Sequence, residues 1–121
     1  MNNSTARVLV CAYACNPFQG SEEGVGWSWL QCLPPSFEKH VLVAAYHQKD
    51  IQRLQREQPD KLANIRIWPV PPKIWHFRRP SRFWNAVENG IAKPLMNLAY
   101  AQWQRDAYRL AKRLHAKCRF D

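Results

Sequence analysis

The sequence lacks paired cysteines and any long apolar run. Its four cysteines form no Cys-x-x-Cys pair and have no histidine at zinc spacing, so we expect reduced thiols and no metal site. No stretch has the length needed to cross a bilayer. The apolar run that ends at Cys15 weakly imitates a secretory leader, but it is also typical of a buried parallel strand. We therefore expect a cytoplasmic protein, with peripheral membrane contact as an open alternative.

Acidic residues are also scarce. The chain of 121 residues has 9 acidic residues against 18 lysines and arginines, which gives a formal net charge of +9. This excess favours an anionic partner or a negatively charged membrane surface, although a basic face that is merely solvated explains it almost as well. With 46% hydrophobic residues the chain can bury one small core. We therefore expect a single domain over residues 1–121.

Short β-like segments alternate with helical ones along the chain. The predicted strands cover residues 8–13, 40–46 and 64–68, and the predicted helices cover residues 21–33, 50–58 and 100–118. The second strand is continuously apolar and should be central, whereas prolines at 69, 71 and 72 should end the third. This order predicts an α/β fold, a partial Rossmann-like domain with a parallel sheet flanked by helices.

A glycine-rich segment lies between the first strand and the first helix. It contains Gly20, Gly24 and Gly26, and Ser21 with Glu22 and Glu23 is expected to provide a helix cap and an acidic first turn. Such a turn can receive a phosphate group on unpaired helix N–H groups. The spacing Gly-x-x-x-Gly-x-Gly matches neither the dinucleotide fingerprint nor the Walker pattern. A purely structural turn explains the glycines equally well.

Two basic segments follow later in the chain. Arg78, Arg79 and Arg82 are interleaved with aromatic residues such as Phe77 and Phe83, a mixture that suits single-stranded nucleic acid or an anionic membrane surface. A loop whose aromatic residues pack on the sheet is the favoured alternative. In the last predicted helix, one face is apolar and the other basic. The apolar face holds Trp103, Ala107, Leu110 and Leu114, and the basic face holds Arg105, Arg109, Lys112 and Arg113.

The histidines offer one candidate for substrate contact. His47 follows the second strand, where cleft residues often lie in open α/β sheets. The alternative is that His47 only caps the next helix. His40 and His115 are expected at the surface, and we see no convincing catalytic base.

Three segments carry a family resemblance. They are Val-Leu-Val-Cys-Ala-Tyr-Ala-Cys-Asn-Pro at 8–17, Gly-Ser-Glu-Glu-Gly-Val-Gly-Trp at 20–27 and Trp-Gln-Arg-Asp-Ala-Tyr-Arg-Leu-Ala-Lys-Arg-Leu-His at 103–115. With them the chain resembles the amino-terminal part of a family-4-type glycosyltransferase, which has two Rossmann-like domains in the GT-B arrangement. The resemblance implies sugar transfer from a nucleotide-sugar donor, used as a substrate and not as a cofactor, to an acceptor hydroxyl.

The resemblance also assigns roles to residues of the glycine loop. It implies that a loop near the donor diphosphate is formed by Gly20, Ser21, Glu22, Gly24, Val25 and Gly26. Trp27 is expected instead to pack the helix onto the sheet.

The chain departs from the family in length. The donor-binding carboxy-terminal domain, with its Glu-x7-Glu pair, has no counterpart here, and the strand expected after Asp121 is missing. We therefore expect residues 1–121 to be an incomplete acceptor-side domain that is inactive alone. The alternative is a non-enzymatic basic module that binds nucleic acid or an anionic membrane surface, with nucleic acid the less favoured partner.

Overall fold

A computed structural model describes residues 5–71 and 92–121 of the chain. The predicted basic contacts at Arg78, Arg79 and Arg82 lie outside the described residues. The elements are β1 (Arg7–Cys11), α1 (Ser21–Cys32), β2 (Glu38–Ala44), α2 (Gln48–Glu57), β3 (Ile65–Val70) and α3 (Ala92–Cys118). Short 3-10 turns cover Ala45–His47 and Pro59–Leu62.

The three strands form one parallel sheet in the order β1-β2-β3. Val41 of β2 aligns with Val10 of β1 and with Ile67 of β3, so β2 is central, as its apolar run predicts. Parallel neighbours need crossover connections, and α1 and α2 supply them. The predicted α/β fold is confirmed as a partial Rossmann-like arrangement with a three-stranded parallel sheet.

Two apolar cores cover the two faces of the sheet. Side chains of β2 alternate, so that Val41 and Val43 enter one core while Leu42 and Ala44 enter the other. The first core is completed by Trp27, Leu30, Ile51 and Leu54 of α1 and α2. The second is completed by Val70 of β3 and by Trp103, Ala107 and Leu114 of α3. The expected packing of Trp27 and of the apolar α3 face is therefore confirmed.

Strand β2 begins two residues earlier than predicted because polar residues at its start are buried. The prediction that His40 lies at the surface is wrong, since its side chain is fully buried. The Trp68 indole N–H donates to His40 Nδ1 over 3.1 Å, and the other ring nitrogen lies 3.0 Å from Glu38 Oε1. Because an indole N–H can only donate, His40 Nδ1 is an acceptor and the ring proton lies on Nε2. His115 is exposed, as predicted.

Strand β3 continues through Pro69, where the sequence predicts its end. The Lys39 N–H donates to the Asn64 carbonyl, so even-numbered residues of β3 turn their backbone groups toward β2. The nitrogen of Pro69 therefore faces outward from an edge strand, where a missing N–H removes no ladder bond. Proline at this position ends neither the strand nor the sheet.

Glu38 links the amino-terminal ends of the strands. It accepts hydrogen bonds from His40 and from Arg7 Nε, the latter over 2.9 Å, and these two contacts lower its pKa. Arg7 also holds the end of the described chain, because its backbone N–H donates to Asp121 Oδ2 over 2.7 Å. In the described part of the chain, no helix combines the length and apolarity needed to cross a membrane.

The Glu38 contacts predict a pH-dependent contribution to stability. The pKa of Glu38 in the folded chain lies below its ordinary value of 4.5, so its contribution is present above that pH and is lost as the pH falls through the folded pKa. We expect Glu38→Gln to lower the free energy of unfolding by about 1 kcal/mol near neutral pH. The difference from the unmodified chain should shrink toward about pH 3.

Urea unfolding followed by circular dichroism at several pH values measures this difference. Glu57→Gln is the matched control, because Glu57 pairs with Arg53 on the exposed face of α2 and such solvent-screened pairs contribute little to stability. A Glu38→Gln effect of equal size at both ends of the pH range would contradict the assignment.

Candidate functional site

The candidate site lies at the carboxyl ends of the strands. The loop of residues 12–20 follows β1 there, and the Ala45–His47 turn follows β2. Open α/β sheets bind ligands in the crevice outside this edge. The glycine-rich segment and His47, which the sequence singles out separately, both lie at this edge.

Asn16 joins the loop after β1 to helix α2. Its side chain is fully buried, and Nδ2 donates to Asp50 Oδ2 over 2.7 Å and to His47 Nδ1 over 3.1 Å. The Phe18 backbone N–H donates to Asn16 Oδ1 over 2.9 Å. Since an amide nitrogen only donates, His47 Nδ1 is an acceptor and the imidazole is neutral, with its proton on Nε2. The sequence does not single out Asn16 or Asp50, although an asparagine in a loop after a strand is typical of an Asx turn.

His47 is fully buried beneath the Tyr46 ring. The two ring centroids lie 4.0 Å apart. His47 occupies the N-cap position of α2, but its side chain makes no capping hydrogen bond there. It therefore holds Asn16 instead of the helix end, and the substrate contact at His47 stays a prediction.

Helix α1 begins without the predicted serine cap. Gly20 is the N-cap residue and no side chain caps the helix, so the expectation for Ser21 is wrong. Ser21 instead adopts a φ of 56°, in the left-handed region that residues with a Cβ rarely occupy. Among the described residues, the N–H groups of Ser21, Glu22 and Glu23 have no acceptor. These three donors make the start of α1 a local anion-attracting end.

Gly24 and Gly26 allow the loop to lie directly on α1. A Cβ at Gly24 would come within 2.5 Å of the Gln19 carbonyl oxygen, and a Cβ at Gly26 would clash with the Ala14 carbonyl oxygen. The Asn16 N–H also donates to the Glu23 carbonyl over 3.0 Å. Two glycines inside a helix cost about 1 kcal/mol each relative to alanine, so this close backbone packing explains their presence. Val25, between them, is exposed.

Nearby charges oppose anion binding at the start of α1. Glu22 and Glu23 lie in its first turn, and Asp50 lies in the first turn of α2. Arg53 reaches the loop, where it lies 4.4 Å above the Phe18 ring, and it pairs with Glu57. Within the described ranges, attraction for a phosphate therefore comes from backbone N–H groups and not from a local cluster of positive side chains.

The described part of this edge offers neither a reactive thiol nor a metal site. Cys15 is buried, and burial raises its pKa to about 11, so its thiol remains protonated at neutral pH. Within residues 5–71 and the described part of α3, no three histidine, cysteine or acidic side chains converge in a way that could hold a metal ion.

Aromatic residues form the α3 side of the same edge. We call Tyr13, Tyr46, Tyr100 and Trp103 the tyrosine cluster. Tyr13 follows β1 and meets Tyr46, Tyr100 and Trp103 edge to face, with centroid distances of 5.9, 5.0 and 5.0 Å. The sequence does not single out this cluster, although the positions of Tyr13 and Tyr46 at the ends of two predicted strands indicate part of it.

The glycine packing predicts that alanine is tolerated at residue 20 but not at residue 26. Gly26→Ala should lower the free energy of unfolding by about 2–4 kcal/mol, because the added Cβ meets a backbone carbonyl that cannot move without shifting the loop. Gly20→Ala is the matched control, since its Cβ would meet nothing within 4 Å. Thermal and urea unfolding of both variants measure the difference. Equal destabilisation by the two substitutions would contradict the packing role of Gly26.

The chain matches no known protein-family profile, no curated protein and no solved structure. It contains a small α/β domain with a three-stranded parallel sheet. A functional assignment therefore depends on the residues at the carboxyl edge of this sheet.

Proposed function

We propose that this chain is the acceptor-side portion of a glycosyltransferase that uses a nucleotide-sugar donor. The observation that carries the proposal is the start of α1 at the carboxyl edge of the sheet. Three N–H groups there lack an acceptor among the described residues, and Ser21 and Glu22 are exposed to solvent. The resemblance of residues 8–17 and 20–27 to family-4-type glycosyltransferases supports a diphosphate as the group that meets this helix end.

The proposed role of α1 is electrostatic. When a sugar leaves its nucleotide donor, negative charge develops on the diphosphate, and oriented backbone dipoles can stabilise that charge without reorganising. The start of a helix acts as roughly half a positive charge over its first turn. In this proposal the N–H groups of Ser21, Glu22 and Glu23 face the diphosphate oxygens, while Gly24 and Gly26 hold the loop in place.

The described residues position groups but do not supply a clear base. His47 is neutral and its Nδ1 accepts a hydrogen bond from Asn16, and the thiol of Cys15 remains protonated. Sugar transfer also requires that water be excluded by closure over the substrates. We therefore assign donor binding and closure to a second domain and expect no sugar transfer by the 121-residue chain alone.

A second candidate rests on the outer face of α3. Arg105, Arg109, Lys112 and Arg113 are exposed along it, and Asp106 lies 3.6 Å from Arg109. Such a face suits a non-enzymatic module that binds an anionic membrane surface. It is also compatible with a transferase whose acceptor is bound to a lipid.

Titration with pyrophosphate tests the proposed diphosphate contact. In two-dimensional amide NMR spectra of the chain, we expect pyrophosphate and UDP to shift the signals of residues 21–23. Replacing both Glu22 and Glu23 by glutamine should strengthen binding by about three- to tenfold, because two negative side chains no longer repel the phosphate through water, where each repulsion is about 1 kcal/mol or less. Glu57→Gln, on the exposed face of α2, should leave the affinity unchanged.

Two outcomes would contradict the proposal. The first is the absence of shifts at residues 21–23 in the double glutamine variant. The second is sugar transfer by the unmodified 121-residue chain above a control in which Gly24 and Gly26 are replaced. Binding to anionic vesicles that weakens with salt and with Arg105→Gln and Arg109→Gln, without any pyrophosphate response, would favour the membrane-binding module.

A further inference from the structure

The tyrosine cluster combines buried and exposed aromatic surface at one site. Tyr46 and Tyr100 are 46% and 43% exposed, while Trp103 beneath them is 2% exposed. The Tyr100 and Trp103 rings are stacked, with an interplanar angle of 7° and centroids 6.4 Å apart. The cluster therefore presents tyrosine rings to solvent on a fixed aromatic base.

Polar groups are distributed among these rings. Tyr13 and Tyr46, which meet edge to face, each carry a phenolic hydroxyl group. The indole N–H of Trp103 is buried and has no acceptor among the described residues. A buried donor without an acceptor is unfavourable and is usually satisfied by water or by a ligand oxygen. The cluster thus combines apolar ring faces with hydroxyl groups and one unsatisfied donor.

The cluster has little charge, although the chain as a whole carries +9. The described cation–π contacts involve Phe18 and Tyr108, which lie outside the cluster. Burial raises the pKa of Tyr46, and the nearby negative charge of Glu23 adds to this shift. Among the described residues, a phosphate, a nucleic acid or an anionic headgroup would therefore find no positive side chain over these rings. A neutral ligand with both C–H and hydroxyl surfaces fits them better.

The position of the cluster connects it to the candidate site. Tyr13 and Tyr46 follow the carboxyl ends of β1 and β2, and Tyr100 covers the α3 side of that edge. Helix α1 packs on the opposite face of the sheet. A ligand on the tyrosine rings and a ligand at the start of α1 would therefore approach the same edge from its two sides.

We infer that Tyr46 and Tyr100 form a subsite for a neutral pyranose ring, which stacks its C–H face on the tyrosine rings. The subsite rests on the proposed function, because it identifies the acceptor as a saccharide. Hydroxyl groups of the sugar supply acceptors near Tyr13, whereas the Trp103 N–H is buried beneath the rings. A second copy of this chain or an apolar peptide on the same rings would contradict the assignment.

Saturation-transfer NMR on the 121-residue chain tests the subsite. The probe is a panel of the methyl glycosides of glucose, galactose, mannose and N-acetylglucosamine at millimolar concentration. We expect transfer to the ring C–H protons of at least one glycoside. Tyr100→Leu and Tyr46→Leu should each weaken binding at least about fivefold, whereas Tyr100→Phe, which keeps the ring, should stay within about twofold.

Tyr108→Leu is the matched control. Tyr108 is 64% exposed on the same helix as Tyr100 and lies outside the cluster, so its loss should leave saccharide binding unchanged. Circular dichroism establishes that each variant is folded, and Tyr46→Leu and Tyr100→Leu test the subsite independently if one of them does not fold. Sedimentation reports whether the rings instead hold two copies together.

The results separate this inference from the proposed function. Absence of transfer to all four glycosides, equal loss in Tyr108→Leu, or a dimer that Tyr100→Leu dissociates would overturn the saccharide subsite. A pyrophosphate response at residues 21–23 in the same samples would then leave the diphosphate contact standing. Saccharide binding without a pyrophosphate response would overturn the diphosphate contact and retain the subsite.

Discussion

The close packing of one loop on helix α1 is the constraint on which the carboxyl edge depends. Gly26 lies against the Ala14 carbonyl, and Gly24 lies against the Gln19 carbonyl. This contact fixes the path of the chain after β1 and buries Asn16 where its amide reaches Asp50 and His47. Helix α2 is thereby joined to the loop that covers α1. A side chain larger than hydrogen at residue 26 would move all of these parts together.

The sequence predicts the elements of the fold but misplaces some of their ends. The apolar run of β2 is recognisable because helices cover both faces of the sheet. The start of β2 is not recognisable, because burial of His40 depends on Trp68 and Glu38, which reach it only in the folded chain. Proline ends many strands, but Pro69 lies on an edge with its nitrogen facing outward. Whether Pro69 ends the strand depends on the order of the strands in the sheet, and the residues next to Pro69 in sequence do not reveal that order.

The glycine motif illustrates why the site is harder to predict than the fold. Its glycines suit a phosphate loop and a tight helix contact equally well, and packing explains Gly24 and Gly26. The exposed first turn, with Ser21 in a left-handed conformation, is the part that packing does not explain. The partners of Asn16 and the meeting of Tyr13 with Tyr100 join distant segments. Sequence patterns identify the glycines but miss Asn16 and the tyrosines, because only tertiary packing brings Asn16 and the tyrosines to their partners.

Charge divides the carboxyl edge into two chemically different halves. On the α1 side, the helix end supplies roughly half a positive charge, while Glu22 and Glu23 bring two full negative charges to the same turn. In the proposed transferase, backbone N–H groups alone would therefore orient a diphosphate there but hold it weakly, and the neutralising cations would come from outside the described residues. A neutral ring on the tyrosine cluster does not meet this opposition. In the proposed transferase, this half of the cleft would thus select its acceptor by shape and stacking and leave most of the donor affinity to another domain.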